Sequence, residues 1–312
     1  MALQQFVCFF TVMIILFYRG CYSQSLECGR IIGTQDKSPG RWPWQVFILK
    51  ENDYATEGSL ITDQWVLTLA RTVQYHEPSG ITVHLGPIET SSTPNVHLPL
   101  ETLICDPGNE LCLLKLASPV NLTDQVRPIC LASEHSTFYA GTESWMTGFS
   151  VAGTGTTNLE IVGNNECQCY HGPLSGNTIC AGLKERQSTC LGNWGGALMN
   201  KNDSVWVQSG VLSSYEGCSV PSKAGVYVPV SRYQKWISDT VADTPPVFVT
   251  FTSPDIDIDL FFTCSTDPEH PTPTPPCDSV FCGGESLMHF THFASLCVLV
   301  VSLHVLVGSG GI

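Results

Sequence analysis

Between about residues 31 and 240 the apolar positions fall in short runs, each broken by glycine, proline, asparagine or serine before a helical repeat can develop. Runs of that length bounded by turn formers predict many short strands. One helix is expected, at the end of the region, over Ser231–Val241. The expected class is therefore all-β with a C-terminal helix.

The flanks follow other patterns. Phe6 to Tyr18 is an apolar run that gives way to small and polar residues around Ser23 and Ser25. Residues 1–25 read as a secretory signal peptide, although no basic residue precedes the run; an uncleaved anchor is the alternative. Segment 242–282 holds Thr244-Pro245-Pro246 and His270-Pro271-Thr272-Pro273-Thr274-Pro275-Pro276, the composition of a stiff extended stalk. Within it, Val247–Thr252 is β-prone and able to pack on the preceding domain. Residues 283–312 comprise Gly283-Gly284, a mixed spacer and an apolar tail, Ala294 to Val307. A membrane span needs about 20 apolar residues. The tail falls short of that and no basic cluster follows it. Small residues, spacer and tail together predict a glycolipid-anchor signal cleaved near Gly283, with a short membrane segment or free secretion as alternatives.

Composition narrows the function. The chain has 312 residues, of which 13% are charged, and a formal net charge of −14. No basic stripe is present to neutralise phosphates, which excludes a nucleic-acid partner. Of the 15 cysteines, Cys8 and Cys21 lie in the signal region and Cys297 in the apolar tail. The other twelve are an even number, as an oxidised extracellular framework requires. Asn121-Leu122-Thr123 and Asn202-Asp203-Ser204 are glycosylation sequons. Nothing in the sequence calls for a cofactor, and the cysteine spacings suit no common zinc site, so no metal is expected.

A series of short motifs adds a family. Arg30-Ile31-Ile32-Gly33, Trp42-Pro43-Trp44-Gln45-Val46, Gly58-Ser59-Leu60-Ile61 and Trp65-Val66-Leu67-Thr68 are followed by Leu113-Leu114-Lys115-Leu116 and Arg127-Pro128-Ile129-Cys130-Leu131. Ile179-Cys180-Ala181-Gly182, Cys190-Leu191-Gly192-Asn193-Trp194-Gly195-Gly196-Ala197-Leu198, Gly225-Val226-Tyr227 and Trp236-Ile237 complete the series. In this order, over roughly residues 28–240, they resemble the trypsin/chymotrypsin family of serine proteases. With its C-terminal tail the chain resembles the membrane-anchored members of that family. The resemblance implies two packed six-stranded antiparallel barrels over 31–241, preceded by a propeptide remnant at 26–30, with the active cleft between the barrels.

Serine-protease chemistry needs a hydroxyl nucleophile, an imidazole to take its proton and a carboxylate to orient the imidazole. The positions that the resemblance assigns to base, orienter and nucleophile read Arg71, Glu110 and Trp194. A guanidinium stays protonated near neutral pH and cannot act as a base. An indole has no hydroxyl to deprotonate. None of the nearby histidines, His76, His84 or His97, can supply the missing nucleophile, and they read as ordinary surface or strand residues. Arg71 and Glu110 are placed to form an ion pair with Trp194 against the guanidinium face, the alternative being an Arg71 that turns to solvent.

The resemblance carries further residues. Cleavage is implied between Arg30 and Ile31, but the residue that would receive the new ammonium is Asn193, a neutral amide. The specificity pocket is implied at Ser188, Ser213, Tyr215 and Gly225, with Ser188 at its base and Tyr215 narrowing its rim. Implied disulfides are Cys28–Cys130, Cys167–Cys180 and Cys190–Cys218. Two family disulfides are absent as whole pairs: their positions read Thr56 with Thr72, and Ser144 with Asn200. Cys105, Cys112, Cys169, Cys264, Cys277 and Cys282 remain, with Cys105–Cys112 the favoured local pair. The expected function is that of a catalytically inactive protease homologue that binds an extracellular protein at the cell surface. An active trypsin-like endopeptidase and a degenerating gene product are the alternatives.

Overall fold

The computed structural model describes residues 28–31, 42–50, 53–86, 96–150, 153–174, 178–182, 194–214, 224–254 and 256–264. The signal and tail segments, and among the site calls Ser188, Cys190, Asn193, Tyr215 and Cys218, lie outside the described residues.

The first barrel comprises β1 (Gln45–Lys50), β2 (Asp53–Leu60), β3 (Trp65–Leu69), β4 (Ile81–Leu85), β5 (Val96–Cys105) and β6 (Leu111–Leu116). It is closed in the order β1-β2-β3-β6-β5-β4, with every pairing antiparallel. Its interior follows from two-residue alternation: Val46 and Ile48 of β1, and Ile81, Val83 and Leu85 of β4, are at most 1% exposed and join one core. After β7 (Cys130–Ala132), the second barrel uses β8 (Glu143–Ser150), β9 (Gly153–Val162), β10 (Ile179–Gly182), β11 (Ala197–Asn202), β12 (Val205–Ser214) and β13 (Gly225–Pro229). The ring runs β8-β9-β10-β13-β12-β11 and closes through the β11–β8 pair. Two antiparallel six-stranded barrels are thus present, as expected. Among the described residues three short helices accompany them: α1 (Ala70–Val73), α2 (Asn164–His171) and α3 (Gln234–Thr240). The helix expected over Ser231–Val241 is a 3-10 turn, Val230–Tyr233, that runs into α3.

Indole rings fill the seam between the barrels. Trp44, 1% exposed, donates from Nε1 to Met199 Sδ of β11 at 3.0 Å. Trp206 takes Trp42 and Trp145 edge-on, at ring separations of 4.7 and 5.0 Å. Edge-to-face packing adds about 0.5–1.5 kcal/mol per pair beyond area burial, so the seam is tightly held.

The chain stays on the second barrel well past residue 241, where the sequence reading begins the stalk. Strand β14 (Phe248–Val249) lies parallel to β7, itself parallel to β12. Leu131 N, Ser133 N and Thr137 N donate to the carbonyls of Val247, Val249 and Phe251. Phe251 stacks on Phe138 with centroids 5.1 Å apart. At the far end of this strap the Asp259 carboxylate accepts hydrogen bonds from Asn165 N and Glu166 N in the first turn of α2. Gly163 leaves room for it, since a Cβ there would sit 2.0 Å from Asp259 Cγ. The compact unit containing both barrels ends at Asp259.

Disulfides join Cys28 to Cys130, Cys167 to Cys180 and Cys105 to Cys112. Cys169 and Cys264 are also disulfide-bonded. At one of the absent family bridges a polar contact stands instead: Asn200 Nδ2 donates to Ser144 Oγ at 2.8 Å, with both residues fully buried. At the other, the hydroxyls turn to main-chain carbonyls: Thr72 Oγ1 donates to Leu69 O and Thr56 Oγ1 to Trp194 O.

Candidate functional site

A turn at residues 194–196 brings the two barrels together. Gly195 has φ +84°, and a Cβ on it would lie 2.1 Å from Glu57 O and 2.6 Å from Thr68 Oγ1. Only glycine fits both the left-handed backbone and that approach. Glu57 N of β2 donates to Trp194 O at 3.0 Å, and Gly195 N donates to Leu212 O of β12 at 3.0 Å. The Trp194 main chain is therefore pinned by both barrels. Its indole is 48% exposed.

Arg71 stands on the last turn of α1, directly after β3. Its guanidinium carbon lies 4.7 Å from the centre of the Trp194 ring, and Nη2 donates to Ser213 O at the end of β12. Ser213 is itself fixed, since its hydroxyl donates to Val226 O at 3.1 Å. A cation over an indole at an exposed site contributes about 0.5–1 kcal/mol. Arg71, from the first barrel, thus rests on two groups of the second.

The expected Arg71–Glu110 ion pair does not form, and Arg71 does not turn free to solvent either. Each residue has found another partner. Glu110 accepts a hydrogen bond from the Tyr233 hydroxyl, Oη to Oε2 3.2 Å, while its carbonyl accepts from Ala70 N at 2.9 Å. Burial and the neighbouring Glu110 carboxylate push the Tyr233 hydroxyl well above the ordinary tyrosine range, so it remains a donor. The loop that delivers Glu110 is closed by Cys105–Cys112, whose residues are direct partners across β5 and β6. Asp106 braces it, accepting from Gly108 N, Glu110 N and Leu111 N.

The remaining site residues separate by region. Gly225 is buried at the start of β13, where a Cβ would meet the Tyr227 ring at 3.1 Å. Tyr227 is 1% exposed and donates to Met146 Sδ, and burial raises its hydroxyl pKa. Arg30 is exposed, whereas Ile31 packs on the main core. Gly29 is held by Pro128 O and by Trp206 N, next to the Cys28–Cys130 bond. Asn121 is exposed, and Asn202 is half-buried with Nδ2 donating to Thr250 O of the strap at 3.2 Å. Of the three histidines, His76 is exposed beyond α1, while His84 and His97 pair across β4 and β5.

Two neighbours escaped the sequence reading. Tyr233 lies 123 residues from Glu110, and no local pattern links them. Glu57 is fully buried, with Gln45 Nε2 3.4 Å from its Oε2. A carboxylate directly before the family-like Gly58-Ser59-Leu60 is the signal that could have drawn attention to it. Chemically, the described cleft offers an exposed indole, a fixed guanidinium and a tyrosine-bound carboxylate. Among the described residues no group of three or more histidine, cysteine or acidic side chains is arranged to hold a metal, and no helix is long and apolar enough to cross a membrane.

Comparison with known proteins agrees with this architecture. The family model described as Trypsin matches residues 31–237. Tryptase of Mus musculus is 33% identical over 240 residues, covering 66% of this chain and 87% of the relative. Serine protease 41 of Homo sapiens is 30% identical over 247 residues, covering 69% of this chain and 78% of the relative. With a family match across both barrels and relatives at this level over most of their length, the chain belongs to the trypsin family.

Proposed function

We propose that this trypsin-family chain is a non-catalytic member that binds another protein through its cleft, outside the cell. The observation that carries the proposal is Trp194, pinned by both barrels with its indole against Arg71 at the positions assigned to nucleophile and base. An indole cannot attack a carbonyl, and a guanidinium cannot take up the proton that such an attack releases. Fold membership does not restore those steps, because activity resides in the site. What the cleft retains is suited to recognition: tryptophan and arginine are the residue types that dominate binding hot spots. The signal-like N-terminus, the disulfides and the two sequons support an extracellular location. The Pro/Thr-rich stretch and apolar tail support display on a glycolipid anchor.

Labelling by a serine-directed fluorophosphonate tests the non-catalytic reading. The full chain should take up no probe, before or after cleavage at Arg30, under conditions in which an active relative labels stoichiometrically. Labelling of a cleft serine would overturn the proposal in favour of the endopeptidase that the relatives' names suggest.

A further inference from the structure

The two-strand pair His84–His97 lies outside the cleft and has no part in the proposal above. The residues are direct partners in the antiparallel ladder between β4 and β5. His84 alternates with Val83 and Leu85, which point into the core, so its ring lies on the barrel's outer face beside Phe47 of β1. His84 is 6% exposed and His97 is exposed, with the ring centres 4.5 Å apart and the planes at 77°. His84 Nδ1 stands 3.2 Å from His97 Nε2.

We infer that His84 Nδ1 and His97 Nε2 form a two-imidazole site for a divalent transition ion of the zinc and copper class. Zinc–imidazole bonds of about 2.0–2.1 Å in tetrahedral geometry set neighbouring nitrogens about 3.3 Å apart, which the ladder already provides within 0.1 Å of the observed 3.2 Å. A small rotation of the exposed His97 ring turns its lone pair from His84 towards a shared ion. Imidazole ligands favour zinc, copper and nickel over calcium or magnesium.

Among the described residues His84 Nε2 is buried without a hydrogen-bond partner, whereas the nitrogen directed at His97 has one. Burial and the neighbouring His97 also lower the His84 pKa, which keeps its ring neutral, the form that ligates metal. Among the described residues no third histidine, cysteine or carboxylate completes the set. Water, or a donor from a bound molecule, therefore occupies the other positions on the exposed His97 side. The unpartnered Nε2 also lacks the outer hydrogen bond that strengthens imidazole ligation, so affinity in the micromolar range is expected rather than that of a structural zinc site.

The test is a calorimetric titration of the chelator-stripped full chain with zinc chloride at pH 7.4, repeated on His97→Ala and His84→Asn. His97→Ala removes the partner of the buried His84 Nδ1 and should melt slightly below wild type without metal, so titrations are run well below both melting temperatures, and this substitution at an exposed position carries the test even if His84→Asn folds poorly. The wild-type protein should bind one zinc ion that His97→Ala binds at least ten-fold more weakly. Copper(II) should show hyperfine coupling to two nitrogens in the wild-type protein and to one in His97→Ala. Identical titrations for the two proteins, or coupling unchanged by the substitution, would overturn the inference.

Discussion

Replacing Ser144 and Asn200 together by cysteine should stabilise the protein. Leu198 pairs with Met146 and Met199 with Trp145, so Asn200 and Ser144 form the next rung of the same antiparallel ladder. Directly opposed residues in such a ladder have Cα atoms about 4.5–5.5 Å apart, within the range a disulfide spans. The two positions are 56 residues apart. Chain-entropy arithmetic for a loop of that size predicts about 4 kcal/mol of stabilisation. Against this stand two hydrogen bonds from Asn200 Nδ2, to Ser144 Oγ at 2.8 Å and to Glu143 O at 2.9 Å. Losing them costs about 1 kcal/mol each. Removing Asn200 Oδ1, buried without a partner among the described residues, recovers part of that cost. A net gain of about 2–3 kcal/mol remains, or a rise in Tm of about 5–10 °C for a domain of this size. Thermal unfolding of the full chain with and without reductant measures the gain, once peptide mapping has shown the bond to be present. A mapped bond with an unchanged or lower Tm would refute the reasoning, because it would mean that the hydrogen-bonded rung already holds the strands as well as a covalent one.

Two other perturbations address the site and the first barrel. Gly195→Ala should destabilise the protein by about 3 kcal/mol or more, since it combines a disfavoured backbone with a Cβ 2.1 Å from Glu57 O; a urea midpoint equal to wild type would show that the 194–196 turn is free to move. The His84 pKa is lowered on folding by burial and by His97. The unfolded chain therefore binds more protons just below the ordinary histidine value, near 6.5, and stability is full above that pH and falls as pH drops through the lowered folded value. Urea midpoints at pH 7.5 and 5.5 should reveal the loss, and His84→Gln should remove that share of it; an unchanged difference would place the sensitivity elsewhere.

The all-β class was legible because short apolar runs and turn formers agree along the chain, as where Ile81, Val83 and Leu85 of the core alternate with Thr82 and His84; the two barrels followed only from the family resemblance that the ordered motifs carry. The site was legible residue by residue but not in its contacts. That Arg71 could meet Trp194 followed from the aligned motifs. That Glu110 would turn to Tyr233 depends on how the 3-10 turn Val230–Tyr233 packs against the Cys105–Cys112 loop, and 123 residues separate the partners. The Ser144–Asn200 rung was visible only as missing cysteines, because a serine and an asparagine far apart in sequence carry no mark of pairing. The strap was equally obscure. Its register comes from main-chain hydrogen bonds at Val247, Val249 and Phe251, to which side-chain pattern is nearly blind.

That strap has a mechanical consequence. In a chain held by its C-terminal end, tension enters the domain along residues 247–253, which run beside β7 and hydrogen-bond to Leu131, Ser133 and Thr137. A pull along two parallel strands loads these bonds together, in shear, instead of opening them one after another. The Asp259 cap on α2 and the Phe138–Phe251 stack share that load and must also break before the strap is drawn off the second barrel. In a chain so held, the strap would set where the pull is applied, along the β7 edge of the second barrel instead of at the end of α3.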